Sequence, residues 1–186
     1  LQQTTFNSSV FYDAPSAARF PDNHKIRSAE AGANWDRTFG AVELTLVGLQ
    51  RLERNEYFNA SISSGSTQVF NSVSDTSESI LRGTLRYIPS QTLTLESGLE
   101  ADYNTLDGHS SFISNGTAIA LPAADPKVNE KRGEANIQAS WKFAPDWSLE
   151  AGTRFEYSAI AAHGVPSRDF SFVKPRLLLS WEPMPN

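Results

Sequence analysis

The chain has 186 residues, of which 39% are hydrophobic and 20% charged, with a formal net charge of −5 and no cysteine. This negative balance argues against a nucleic-acid partner, because phosphate binding needs a positive surface. The lack of cysteine excludes disulfide scaffolds and thiolate metal sites. No apolar run approaches the ~20 residues of a membrane helix. The mean hydropathy of −0.38 still permits a membrane β-barrel, whose alternating strands average out as hydrophilic.

Apolar and polar residues alternate with period two along most of the chain, whereas helical periodicity is weak, so strands are predicted. The predicted fold class is all-β: an antiparallel up-and-down meander of about eight strands, part of a transmembrane β-barrel, with residues 1–186 forming one partial barrel domain. In chain order, the predicted strands cover about residues 4–12, 25–36, 41–53, 78–88, 92–104, 130–143, 147–158 and 170–182.

The alternation is clearest in residues 132–143, where Ala135, Ile137 and Trp141 lie on one face and Glu134 and Lys142 on the other. Because successive side chains of a strand point to opposite faces, each such strand has one apolar and one charged face. A membrane barrel needs this arrangement, with its apolar face towards lipid and its charged face towards the lumen.

The connections differ in length. Short turns are predicted near residues 36–40, 88–91 and 144–146, and a fourth begins at 182–183. Long loops are predicted at about 13–24, 54–77, 105–129 and 158–169, with Asp107 and Gly108 in a turn. One rim of short turns and one of long loops is typical of outer-membrane barrels, in which the short turns are periplasmic and the long loops extracellular.

Aromatic residues fall at the two ends of the apolar face. Such rings prefer the headgroup layer, so two belts of them favour a membrane girdle, although they would also cover the core edges of a soluble sandwich. Those beside the short turns are Trp35, Tyr87, Trp141, Phe143, Trp147 and Trp181. Those near the long loops are Tyr12, Tyr103, Phe155 and Tyr157.

Acidic and basic residues occupy the polar face of neighbouring predicted strands. The simplest interpretation is cross-strand charge pairing on a wet surface, with each pair adding under about 1 kcal/mol; a second is a lumen wall that holds a plug. The acids are Glu96, Glu100, Glu134, Glu150 and Glu156, and the bases are Arg82, Arg86, Arg132, Arg154 and Arg176.

The sequence predicts no catalytic, cofactor-binding or metal-ligating residue, and no cofactor. His24, His109 and His163 lie in predicted loops without a second ligand at a metal-binding spacing. Asp102, Asn104 and Asp107 have the wrong spacing for a calcium loop. No phosphate loop, nucleophile elbow or dinucleotide fingerprint occurs.

Three segments carry a family resemblance: residues 128–134 (VNEKRGE), 149–156 (LEAGTRFE) and 172–183 (FVKPRLLLSWEP). Together they resemble the barrel of TonB-dependent receptors, most clearly over residues 77–185. The resemblance implies a barrel of about 22 strands filled by an N-terminal plug. It also implies an outer-membrane location, TonB and the plug as partners, membrane lipid around the barrel, and uptake of a scarce small-molecule nutrient such as an iron–siderophore. Ligand groups would come from the long loops 54–77 and 105–129.

The sequence departs from that family by showing no plug, TonB box, signal peptide or aromatic closing residue, so a middle portion of a receptor barrel is expected. Two alternatives remain open at this point. One is a self-contained eight-stranded outer-membrane barrel with a structural or adhesion role. The other is a soluble β-sandwich or lipocalin-like binding module, in which Leu95, Ile137 and Leu149 would pack into a core.

Overall fold

The computed structural model describes residues 2–11 and 19–182, and nearly all of them belong to strands. No helix occurs within these ranges, so they contain no helical segment that could cross a membrane. The nine strands are β1 (Gln2–Phe11), β2 (Arg19–Phe39), β3 (Val42–Ser63), β4 (Ser66–Ser90), β5 (Leu93–Ser114), β6 (Thr117–Ile119), β7 (Lys127–Ala144), β8 (Trp147–Ala162) and β9 (Val165–Trp181).

The strands form a single antiparallel sheet in the order β1-β2-β3-β4-β5-β7-β8-β9, and the short β6 pairs with β5. Each of the eight long strands therefore lies beside its neighbour in the sequence, which confirms the predicted all-β meander. β1 and β9 are the two edges of the sheet, which is open across the described ranges.

The strands are much longer than predicted, and the predicted long loops are wrong for most of their length. Residues 54–63 continue β3, and residues 66–77 begin β4. Most of 105–129 and 158–169 is likewise paired, and residues 19–24 begin β2; residues 12–18, with Tyr12, fall outside the described part. Beyond the apolar band both faces of a strand meet water, so the period-two signal disappears while backbone pairing continues.

Six of the connections that the structure describes are two-residue turns, and residues 120–126 form a longer connection between β6 and β7. Turns at residues 40–41, 91–92 and 145–146 define the lower rim, and hairpin tips at 64–65, 115–116 and 163–164 define the upper rim. Asn115 and Gly116 both have positive φ, at 50° and 79°, which is the backbone geometry of a type I′ hairpin turn. In contrast, Asp107 and Gly108 were predicted as a turn, but they lie in β5 and pair with β4.

The apolar residues do not gather in a core. Among the described residues, Ala60 is the one buried hydrophobic side chain. Ile137 is 60% exposed and Leu95 37% exposed, although both should be enclosed in a soluble sandwich. A sheet with its apolar face uncovered fits a wall that meets hydrocarbon.

Candidate functional site

The register of the sheet joins the apolar faces of the separate strands into one surface, the outer face. One row of this face runs through cross-strand partners from β2 to β9. Members of this row are Trp35, Leu46, Gly83, Leu99, Ala135, Phe155 and Val173. Leu99 and Val173 are 69% and 67% exposed, so the outer face presents a continuous apolar band.

The upper boundary of this band runs diagonally across the strands. Going up from the lower rim, the large apolar residues of the band end at Leu52 on β3, Leu81 on β4 and Val173 on β9. The next outer-face residues are Arg54, Ser79 and Ser171, and Phe58, Val73 and Val165 lie farther up, beyond these polar positions. When outer-face residues alone are counted, Leu81 lies two positions below Leu52, and Val173 one position lower still. Strands of a barrel tilt by about 35–45° from its axis, so a level boundary must cross them diagonally.

Aromatic rings line the lower rim. The ring centroids of Trp141 and Phe143 lie 5.5 Å apart, those of Phe143 and Trp147 6.4 Å, and those of Trp147 and Trp181 5.9 Å. Four of the six residues of the predicted lower belt therefore form one chain of ring contacts over β7, β8 and β9, at the height where amphipathic rings favour a headgroup layer.

The opposite surface, the inner face, carries a network of ion pairs. Arg82 binds Glu100, and the Nη2 of Arg132 lies 3.5 Å from the same carboxylate. Further pairs are Arg154 with Glu134 (3.1 Å), Lys174 with Glu156 (2.7 Å), Arg176 with Glu150 (3.4 Å) and Arg86 with Glu43 (3.2 Å). The predicted cross-strand charge pairing is thus confirmed. Arg86 binds Glu43 of β3, although Glu96 of β5 also lies opposite it.

Asp102 is the most buried acid of the inner face. Its side chain is 2% exposed, and its Oδ2 accepts a hydrogen bond of 2.7 Å from the Nε of Arg132. Its other oxygen, Oδ1, is buried without a hydrogen-bond partner among the described residues, as is the Oδ1 of Asn104 two residues further on. A buried oxygen without a hydrogen-bond donor is unusual in a folded protein and energetically unfavourable. From the sequence, Asp102 and Asn104 were considered only as calcium ligands, and their spacing excluded that role.

Above the band, the inner face changes from ion pairs to aromatic rings. His24 and Tyr57 meet edge to face with centroids 5.9 Å apart, and Tyr57 and Phe70 are 6.1 Å apart. The Oδ1 of Asn55 lies 2.8 Å from the Nε2 of His24. This aromatic patch, consisting of His24, Tyr57, Phe70 and Asn55, offers flat apolar surface beside polar groups. The sequence missed it because residues 54–77 were predicted as a loop.

Two of the three histidines lie in strands rather than in the loops predicted for them. His24 belongs to β2 and His109 to β5, whereas His163 occupies a hairpin tip. The Nδ1 of His109 lies 2.5 Å from the Oδ1 of Asp125. Within the described part of the chain, no three His, Cys, Asp or Glu side chains are grouped so that they could hold a metal ion.

An apolar outer face, a charged inner face and a ring of aromatics at one rim define a wall segment of an outer-membrane β-barrel. Residues 2–186 match the model of the TonB-dependent receptor-like β-barrel. The chain belongs to this family, which consists of outer-membrane receptors and transporters rather than enzymes.

Solved structures with this fold include several receptors. The FpvAI receptor in its complex with pyocin S2 superposes with a TM-score of 0.68 at 9% identity, over 97% of this chain and 32% of that one. The ferric preacinetobactin receptor BauA of Acinetobacter baumannii gives a TM-score of 0.56 at 10% identity, over 91% and 29%. The ferric citrate transporter FecA gives 0.51 at 11% identity, over 95% and 32%.

The chain therefore spans about a third of the length of these receptors. A comparison with curated proteins gave no match. The family match favours the predicted receptor barrel over a self-contained eight-stranded barrel and over a soluble module.

Proposed function

We propose that this chain is a section of an outer-membrane uptake receptor for a scarce nutrient such as a ferric siderophore, and that it does no catalysis. The observation that carries the proposal is the two-faced sheet of a family member: a largely apolar outer face backed by inner-face ion pairs. The lower rim would be periplasmic and the upper rim extracellular, since the strands extend far beyond the band at the upper rim.

In the full-length receptor, the inner face would hold a plug domain. The acids of the inner face support this step, and Glu96 on β5 is exposed among them. A plug can supply backbone N–H groups or cationic side chains to such a carboxylate. TonB would act on that plug from the periplasmic side and release it from the wall.

Substitution of Glu96 in the full-length receptor tests this contact. Glu96→Ala should loosen the plug and raise the entry of a large antibiotic into cells, because an exposed acceptor for plug donors is removed. The matched control is Asp107→Ala, on the same strand but on the outer face, where Asp107 binds Lys127 at 3.0 Å. Equal antibiotic entry in the two variants would count against the plug contact.

The aromatic patch is where the ligand would be captured. It lies on the inner face above the band, so a molecule arriving from outside meets it before the plug. Rings pack well against planar or aromatic ligand groups, with each ring pair adding up to about 1.5 kcal/mol. Asn55 lies beside these rings and would hydrogen-bond to polar groups of the same ligand.

Two adjacent residues of β3 provide the test. Tyr57 lies in the patch, whereas Phe58 points to the outer face and is 37% exposed. With a panel of purified hydroxamate, catecholate and carboxylate ferric siderophores, Tyr57→Ala should weaken binding of the recognised compound by up to about tenfold. Phe58→Ala should leave it unchanged. The uptake proposal fails if no compound of the panel binds the full-length receptor or supports TonB-dependent growth.

A further inference from the structure

Two arginines face each other directly across the outer face, just above the apolar band. Arg27 on β2 and Arg54 on β3 are partners in the ladder, and the pair below them is Ala29 and Leu52. Both arginine side chains are 47% exposed. Like charges directly opposite each other destabilise a sheet, so the position needs a negative group to balance them.

The height of the arginines agrees with a headgroup layer. Arg54 lies twelve residues above Val42, where β3 leaves the lower rim. At about 3.4 Å per residue and a tilt of about 40°, this amounts to roughly 31 Å along the barrel axis. The apolar band of such barrels is about 25 Å tall, so the two guanidinium groups stand a few ångströms above the hydrocarbon.

The carboxylates nearby balance only part of the charge. Arg54 donates to Glu56 at 2.9 Å and to Asp75 at 3.2 Å, and Arg27 lies 3.8 Å from Glu56. The hydrogen bond from Arg54 lowers the pKa of Glu56, and the charges of Arg27 and Lys25 act in the same direction. Three bases thus share two acids, which leaves a local positive charge on a chain whose net charge is −5.

We propose that Arg27 and Arg54 bind the phosphate of a phosphorylated lipid headgroup in the outer leaflet of the membrane. The guanidinium groups have donors left for phosphate oxygens, since five N–H donors are available on each. The acyl chains of the same lipid would run down over Ala29 and Leu52, which is 52% exposed. A free phosphate ion would gain nothing from that apolar surface. The inference rests on the proposed membrane placement and adds a lipid site to it.

The test uses the full-length receptor purified in detergent, with lipid A as the probe and native mass spectrometry as the readout. The double variant Arg27→Gln/Arg54→Gln should bind lipid A at least about tenfold more weakly, because two charge-assisted phosphate contacts are lost. The variant Arg54→Lys keeps the charge and should retain most of the binding. The control is Arg51→Gln, on the inner face of β3, where Arg51 binds Glu53; it should bind like the wild type.

Two further arms separate the lipid from free phosphate. Dephosphorylated lipid A should bind poorly to the wild type, and inorganic phosphate should not compete with lipid A. Equal binding by the double variant and the wild type would overturn the inference, as would full competition by inorganic phosphate or undiminished binding of the dephosphorylated lipid.

The lipid site and the uptake function can fail separately. Ferric siderophore uptake by a receptor that binds no lipid A at Arg27 and Arg54 would remove the lipid site alone. A wild-type receptor that stays soluble without detergent would remove the membrane placement and this inference with it. Circular dichroism and resistance to heat in detergent confirm that each variant is folded.

Discussion

Adjacent residues of β7 provide a direct test of which medium each face meets. Ile137 is 60% exposed on the outer face, and Gln138 lies on the inner face opposite Glu96 and Gly152. Ile137→Arg places a cation in the apolar band, whereas Gln138→Arg places it beside a carboxylate, where Gly152 leaves space.

The expected cost follows from the depth of Ile137 in the band. It lies four residues above Trp141 and six below Lys131, the outer-face residues that bracket the band on β7. At about 3.4 Å per residue and about 40° of tilt, these distances are roughly 10 and 16 Å along the axis, which together match a band about 25 Å tall. Arginine near the middle of a bilayer costs about 2–4 kcal/mol, and Gln138→Arg should cost less than about 1 kcal/mol.

The assay is reversible unfolding of the full-length receptor by guanidinium in lipid vesicles, followed by tryptophan fluorescence. The difference in free energy of unfolding between Ile137→Arg and Gln138→Arg should reach at least about 1–3 kcal/mol. If Ile137→Arg is as stable as the wild type, or if Gln138→Arg costs as much, then the outer face does not meet hydrocarbon and the reasoning is refuted.

Three further predictions concern the inner face and the charged groups above the band. Arg132→Met should lower the free energy of unfolding by about 1–3 kcal/mol, because it leaves the buried carboxylate of Asp102 without its donor; the double variant with Asp102→Leu should recover part of this loss. Gly152→Val should hinder folding, since a Cβ there would lie 2.8 Å from a carbonyl oxygen of the neighbouring strand; the folded fraction on a heat-modifiability gel measures this, and normal yield would contradict it. The lowered pKa of Glu56 means that its carboxylate contributes stability at neutral pH. This contribution persists above the ordinary carboxyl value of 4.5 and is lost only as the pH falls through the lower pKa of the folded state; unfolding curves from neutral to acidic pH should therefore differ from those of Glu56→Gln, which lacks this titration.

The membrane half of each strand could be predicted from the sequence with good accuracy. Residues 130–143 and 147–158 lie within β7 and β8, because one face of each meets an apolar medium and the other a polar one, which imposes alternation. The upper halves could not be predicted in this way. Tyr57 and Phe70 were assigned to a loop, since with water on both sides nothing selects the hydrophobicity of either face.

The inner-face partners were predicted as a set but not as pairs. Alternation places Arg86 on the charged face, yet both Glu43 and Glu96 lie opposite it once the strands pair. Only the conformation of the side chains selects Glu43. For the same reason, the sequence could not show that Asp102 and Asn104 each have a buried oxygen without a hydrogen-bond partner. The burial of an atom depends on the neighbouring strands.

The sequence by itself determined the strand period, the two faces and the class of membrane protein, because each depends on the residues of a single strand and the medium around it. The tertiary structure decided the register, the length of the hairpins and every contact between strands. Arg27 meets Arg54, and Asp102 meets Arg132, only because hydrogen bonds between backbones align residues 27 and 30 positions apart in the chain. A period of two fixes which face a side chain occupies, and the pairing of backbones fixes its neighbour.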